Sequence, residues 1–232
     1  MIKLITFRPA YGLPDPSPFV VKAMMLLKMA GLAFEVERTN NPRRGPKGKL
    51  PAIEDGGKLI GDSELIRRHI EQAYGFDFDR GLTPLERANA HAYARMIEER
   101  LYWVMVHARW IEPEGWARTR RTFFDSLPPV VRSILPALIQ RKVRGAMHAQ
   151  GTGRHTREEI YDFGVRDARG IAAALGDKPY FMGPEPSGAD CTVYPFVSGA
   201  IDPAFDNPVK TEMLGHQNLV AYAQRVKARF FG

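Results

Sequence analysis

The stretch from Lys47 to Ile66, KGKLPAIEDGGKLIGDSELI, gathers the residue types best suited to holding a small peptide-like molecule. Pro51 follows Leu50 at the entry to a β-rich run. Proline has no N–H to give a sheet, so it belongs at a strand start or an edge. A cis Leu50–Pro51 bond would turn the N–H and C=O of Leu50 outward. An extended peptide could then pair with them as with another strand. Further along, Asp62 and Ser63 stand at a helix start, where N–H groups, a hydroxyl and the helix dipole suit a carboxylate. A peptide rung and an anion seat thus lie side by side. A third position of interest is Ser17-Pro18, an N-cap followed by proline at the first helical position.

These groups need a scaffold. Ile2 to Phe7 is a short apolar β-rich run, read as the first strand, and Arg8 to Pro16 is a Pro/Gly loop. Phe19 to Ala30 is apolar at helical spacing, with Lys22 and Lys28 as polar interruptions and Gly31 as the stop. Ala33 to Arg38 alternates as a second strand. Pro51 to Glu54 and Lys58 to Ile60 form a hairpin around Asp55-Gly56-Gly57. Ser63 to Tyr74 is a helix closed by Gly75. This order predicts a mixed sheet with helices on its faces. Gly75 to Leu82 reads as a linker.

From there the pattern is helical. Thr83-Pro84-Leu85-Glu86 is a capping box opening a helix to about Ile111. Helices follow over Trp116–Ser126, Val130–Met147, Thr156–Leu175 (a second capping box) and Gln217–Phe230. Ser187-Gly188-Ala189-Asp190 caps the apolar run Cys191–Val197, where Pro195 predicts a kink. The basic amphipathic segment Val130–Met147 is expected to pack its apolar face on the core, with an anionic membrane surface as the alternative. The boundaries expected are residues 1–75, a linker at 76–82 and an all-helical region at 83–232.

Composition sets bounds. The chain has 232 residues and a net charge of +7. Its one cysteine, Cys191, permits no intrachain disulfide and no cysteine-based zinc site, and we expect it buried and inert in a cytoplasmic, reducing setting. MIKLITF is too soon interrupted by Arg8-Pro9 to serve as a secretory signal, so none is expected. No apolar run of about 18 residues is present, so no transmembrane segment is expected. No zinc-finger or ribonucleoprotein motif is present, and nucleic acid is not expected as a partner.

Taken together, Ser17-Pro18-Phe19, the loop Pro46–Pro51, Asp62-Ser63 and the cap Ser187–Asp190 resemble the glutathione transferase superfamily. Within it the chain is similar to the failed-axon-connections and metaxin-like branch. The stretches that carry this are LPDPSPFVVKAMMLLKMAGLAFE, GPKGKLPAIE, ERLYWVMVHARW, GTGRHTREEIYDFGVRDARGIAAALGDKPYFMGPEPSGADCTVYPF and LVAYAQRVKARFF. The resemblance implies an α/β plus all-α fold: an N-terminal thioredoxin-like domain with a mixed four-stranded sheet, then a C-terminal all-helical domain. It implies glutathione as co-substrate, no metal, a small hydrophobic electrophile, a homodimer and a role in detoxification. Metaxins associate with membranes, often through an apolar tail, whereas this chain ends at Phe231-Gly232.

The resemblance also implies roles for residues. Ser17 would donate to the glutathione sulfur and, with its helix N-terminus, favour the thiolate. Tyr11 is the rival donor. Leu50 would supply the main-chain rung, with Pro51 fixing the turn. Asp62 would hold the γ-glutamyl ammonium and Ser63 its carboxylate, with Glu64 close by. Lys49, Arg44 and Arg43 are candidates for the glycyl carboxylate. Trp103, His107 and Trp110 share one face of the helix from Thr83 and would line the second-substrate pocket, flanked by Tyr102 and Arg109. A non-catalytic glutathione-binding or adaptor module on the same fold is the alternative. A thiol–disulfide oxidoreductase ranks third, because Ser17 stands where such an enzyme needs cysteine.

Overall fold

Ile2, Leu4 and Ile5 are buried, and the strand they form, β1 (Ile2–Thr6), lies inside the sheet. The computed structural model of the protein describes residues 1–201 and 205–232. β2 (Phe34–Arg38) runs parallel to β1, with Leu4 opposite Val36. β3 (Ala52–Asp55) runs antiparallel on the other side, with Leu4 opposite Ile53. β4 (Lys58–Gly61) completes the order β2-β1-β3-β4. Gly56 and Gly57 both take positive φ in the β3–β4 turn, a conformation that side chains resist.

A parallel pair needs a crossover, and α1 (Pro18–Met29) supplies it. Its residues from Val20 to Leu27 are all buried. A helix that is apolar all round must be covered all round. α8 (Gly188–Ile201), itself almost wholly buried, covers one side and the helix Ser63–Tyr74 covers another. α2 (Ser63–Tyr74) is amphipathic, with Ile66 and Ile70 inward, and ends at left-handed Gly75.

The segment after Gly75, which reads as a polar linker, is pinned at two points. Phe78 is buried, and Asp79 accepts from Arg67 at 2.6 Å. The Gly188 N–H donates to the Phe78 carbonyl at 2.8 Å. A Cβ on Gly188 would stand 2.6 Å from the Arg67 guanidinium and 2.8 Å from Asp79. Any side chain at this position would have to displace the ends of the Arg67 and Asp79 side chains.

Thr83 opens the helical half with the expected capping box. The helix it starts runs from Pro84 to Ile111, but not uniformly: α3 (Pro84–Met96), a π turn (Ile97–Leu101), α4 (Tyr102–Val106) and a second π turn (His107–Ile111). Each π turn widens the helix and rotates every side chain beyond it. α5 (Pro113–Phe124), α6 (Pro129–Gln150) and α7 (Arg157–Leu175) follow, the last opened by the Thr156–Glu159 capping box. Asn207-Pro208 caps a short helix, α9 (Pro208–Gly215), where no element was expected, and α10 (Gln217–Phe231) ends the chain. Asp190 is fully buried. It accepts from Ser187 N, Phe181 N and the Tyr222 hydroxyl, so the expected cap also ties α8 to α10.

The expectation for α6 is overturned. Only Pro136 and Met147 are buried, while Val130, Val131, Ile134 and Leu138 are exposed. The side of α6 that meets the protein carries Pro136, Met147 and Gln140, whose amide donates to the Trp110 carbonyl. The aliphatic row faces the other way.

Candidate functional site

Two chain segments meet the requirements of the peptide rung and anion seat. The Leu50–Pro51 bond is cis. Leu50 is buried, and among the described residues its N–H and C=O find no backbone partner outside the strand ladder. The Pro51 carbonyl accepts from the Asp62 N–H at 3.2 Å, which joins the proline turn directly to the start of α2. Asp62 is the N-cap there. Its carboxylate takes the Glu64 N–H at 2.9 Å, and its backbone holds φ 84°, a conformation that non-glycine residues rarely keep without a reason. Ser63 is buried in the first turn behind it.

Glu64, one residue on, is half exposed and lies 3.5 Å from the Lys22 Nζ. Burial alone would raise its carboxyl. Lys22, Arg67 and Arg95 outweigh burial and hold it below the usual range. Lys22 is buried within α1, where its ammonium donates to Glu98 at 2.7 Å. Glu98 sits in the first π turn and also accepts from Arg95 at 2.5 Å and from the Thr192 hydroxyl at 3.3 Å. One ionic chain therefore links the anion seat to α1, α3 and α8.

Ser17 occupies the N-cap of α1 with extended backbone, but its hydroxyl does not cap the helix and makes no hydrogen bond to a described residue. Asp15 explains why. Its fully buried carboxylate accepts from Ser17 N and from Phe7 N, both at 2.8 Å. This fixes the loop between β1 and α1 without the Ser17 side chain. Burial pushes the Asp15 carboxyl up to about 7, against the pull of those two N–H groups. Arg109 holds the same loop from the helical half. It donates to the Pro16 carbonyl at 2.7 Å and to the Gly199 carbonyl at 2.9 Å, so it acts as a clamp on main chain.

Tyr11 belongs to the same loop, before the start of α1. Its ring packs edge-on against Phe205 (4.9 Å) and Phe123 (6.3 Å), with the Arg109 guanidinium 5.8 Å away. Its own hydroxyl is buried with no hydrogen-bond partner among the described residues. Two of the three basic candidates also separate. Arg44 pairs with Glu37 on β2 at 2.6 Å, while exposed Lys49 forms no ion pair with a described residue.

The proposed pocket face does not stay together. Trp110 stacks with Phe123 and tilts against Trp116 of α5. His107 is buried against Tyr161 of α7, with Nε2 3.7 Å from Glu112, and burial lowers its pKa. Trp103 meets Tyr102, which packs with Phe19 of α1. The π turn beginning at His107 rotates Trp110 out of the phase that α-helical spacing predicts. Between Val104, Met105, Arg109, Gly199 and Phe205 there is a crevice of only about 10 Å³, room for one water. A larger concavity, about 540 Å³, lies by Lys28 and Phe230 at the other end of α1, remote from Ser17.

Asp15, Lys22 and Glu98 were not among the residues expected at the site. Asp15 has a readable signal, since an Asp two residues before a cap commonly takes that N–H. A lysine in the middle of a helix apolar on every side, as Lys22 is, likewise signals a buried, paired charge.

Comparison with known proteins points to one family. The model of the glutathione S-transferase N-terminal domain matches residues 18–115, and that of the C-terminal domain matches 164–226. The isoprene-epoxide–glutathione S-transferase of Rhodococcus sp. (strain AD45) is 31% identical, over 99% of this chain and 99% of its own length. Failed axon connections of Drosophila melanogaster is 28% identical over all of this chain and 58% of its own length. Metaxin-1 of Macaca fascicularis is 24% identical over 99% of this chain and 75% of its own length. A glutathione transferase from Phanerochaete chrysosporium has the same fold, with a TM-score of 0.68 at 17% identity, covering 100% of this chain and 98% of that one. The chain belongs to the glutathione S-transferase family.

Proposed function

We propose that this protein binds glutathione, stabilises its thiolate with Ser17 and transfers it to a small hydrophobic electrophile. The observation that carries the reading is the Ser17 hydroxyl. It sits at the N-terminus of α1 and makes no hydrogen bond to a described residue. A free thiol with a pKa of roughly 8.5 is mostly protonated near neutrality. A donor hydroxyl and a helix dipole both favour its anion. In this reading Leu50 pairs with the cysteinyl main chain, Asp62 and Ser63 hold the γ-glutamyl end, and Lys49 meets the glycyl carboxylate. With an epoxide, the electrophile in the Rhodococcus relative's name, sulfur bonds to carbon, the C–O bond breaks, and the oxygen takes a proton from water.

One observation favours a second reading, a module that binds glutathione without turnover. Trp110 stacks on Phe123, and the crevice beside Arg109 and Phe205 holds only about 10 Å³. Calorimetry with glutathione followed by a panel of electrophiles separates the two. The transferase reading expects binding and turnover. Binding without turnover supports the module, and absence of binding refutes both.

A further inference from the structure

We propose that the α5–α6 hairpin is a docking surface for an anionic lipid bilayer. Val130, Ile134 and Leu138 recur every four residues and so form one row along α6, widened by Val131. Val130 is 72% exposed, Leu138 58% and Ile134 55%, although large aliphatics in such a row ordinarily face a core. Arg141 and Lys142 continue the row in the next turn. The hairpin, residues 113–150, holds seven Arg and Lys against two acidic residues, Glu114 and Asp125. It therefore contributes five of the chain's seven net positive charges. Arg120, Arg121, Arg141 and Lys142 are exposed, and none forms a salt bridge with a described residue.

Charge complementarity selects the occupant. A basic surface by itself suits any polyanion, but an aliphatic row in its midst suits one with an apolar interior beneath its charges. Among the described residues no helix is long and apolar enough to cross a membrane, so α6 would lie in the interfacial plane. The hairpin falls mostly between the residues matched by the two family models.

Co-sedimentation of the full chain with vesicles tests this. The protein should bind vesicles containing phosphatidylserine and not vesicles of phosphatidylcholine alone. Combined Val130→Ser, Ile134→Ser and Leu138→Ser should weaken binding by about tenfold or more. Arg141→Gln with Lys142→Gln should do the same at low salt and lose its effect at high salt. All these positions are exposed, so circular dichroism and glutathione affinity should not change. Failure of the parent protein to bind anionic vesicles overturns the proposal, and so does full vesicle binding by the aliphatic variant. Two further results overturn it. One is a halving of solution mass in the aliphatic variant with lipid binding intact, which makes the row a contact between copies. The other is binding of RNA, not vesicles, that needs only the charges.

Discussion

At the scale of residues, Asp15 and Ser17 divide two tasks that one side chain often performs. An N-cap serine usually spends its hydroxyl on its own helix, worth about 1 kcal/mol. Here the Asp15 carboxylate fixes the loop, and the hydroxyl is left for something else. Ser17→Ala should therefore change stability little and lower kcat/KM on the order of a hundredfold, the scale of losing one donor to a developing anion. Steady-state kinetics beside thermal unfolding checks this. Asp15 has a pH signature of its own. Its carboxyl is raised to about 7 in the folded protein from 3.8, so the folded state binds the extra proton. Stability from this residue is full below about pH 4, falls as pH rises and is lost above about 7, by on the order of 4 kcal/mol. Asp15→Asn cannot titrate. The difference in unfolding free energy between the parent and this variant should slope down through that window and be flat above it.

At the scale of elements, the buried ion chain decides how α1 meets the helical half. Glu98→Gln leaves Lys22 with only Glu64, 3.5 Å away, and should cost roughly 3 kcal/mol in denaturant unfolding. Adding Lys22→Met should recover much of that loss, since neither charge is then stranded. Much of the element structure was legible in the sequence. Thr83 and Thr156 begin helices at their capping boxes, and Asp55-Gly56-Gly57 turns the hairpin, because caps and turns act within a few residues. α9 carried the same signal, Asn207-Pro208, and could have been read. Lys22 could be read as paired, but not with whom, since Glu98 lies 76 residues away and only tertiary packing brings it near. The π turns were not legible either. They change one hydrogen-bond step in a helix whose apolar spacing looks ordinary, and that step parts His107 from Trp110.

At the scale of the molecule, the peptide rung and anion seat belong to the sheet side, while the clamp on the Ser17 loop, Arg109, comes from the helical side. The site exists only if the two halves are held together. Gly188 tests this: Gly188→Ala would push Cβ against Arg67 and Asp79 and should destabilise by about 1–3 kcal/mol. Glutathione affinity measured by calorimetry should fall with it. The two-part organisation was visible in the change from β-rich to helical patterning near Thr83. The exposure of the α6 row was not, because periodicity says that a helix has an apolar face and does not say what that face meets. The central claim is that Ser17 stabilises the glutathione thiolate. The most direct measurement is an ultraviolet titration of the bound thiol in the parent protein and in Ser17→Ala. The parent should hold the thiol pKa at least about 1 unit below the free value of roughly 8.5, and Ser17→Ala should return it toward that value. Equal thiol pKa values in the two proteins, both near the free value or both depressed, would contradict the claim.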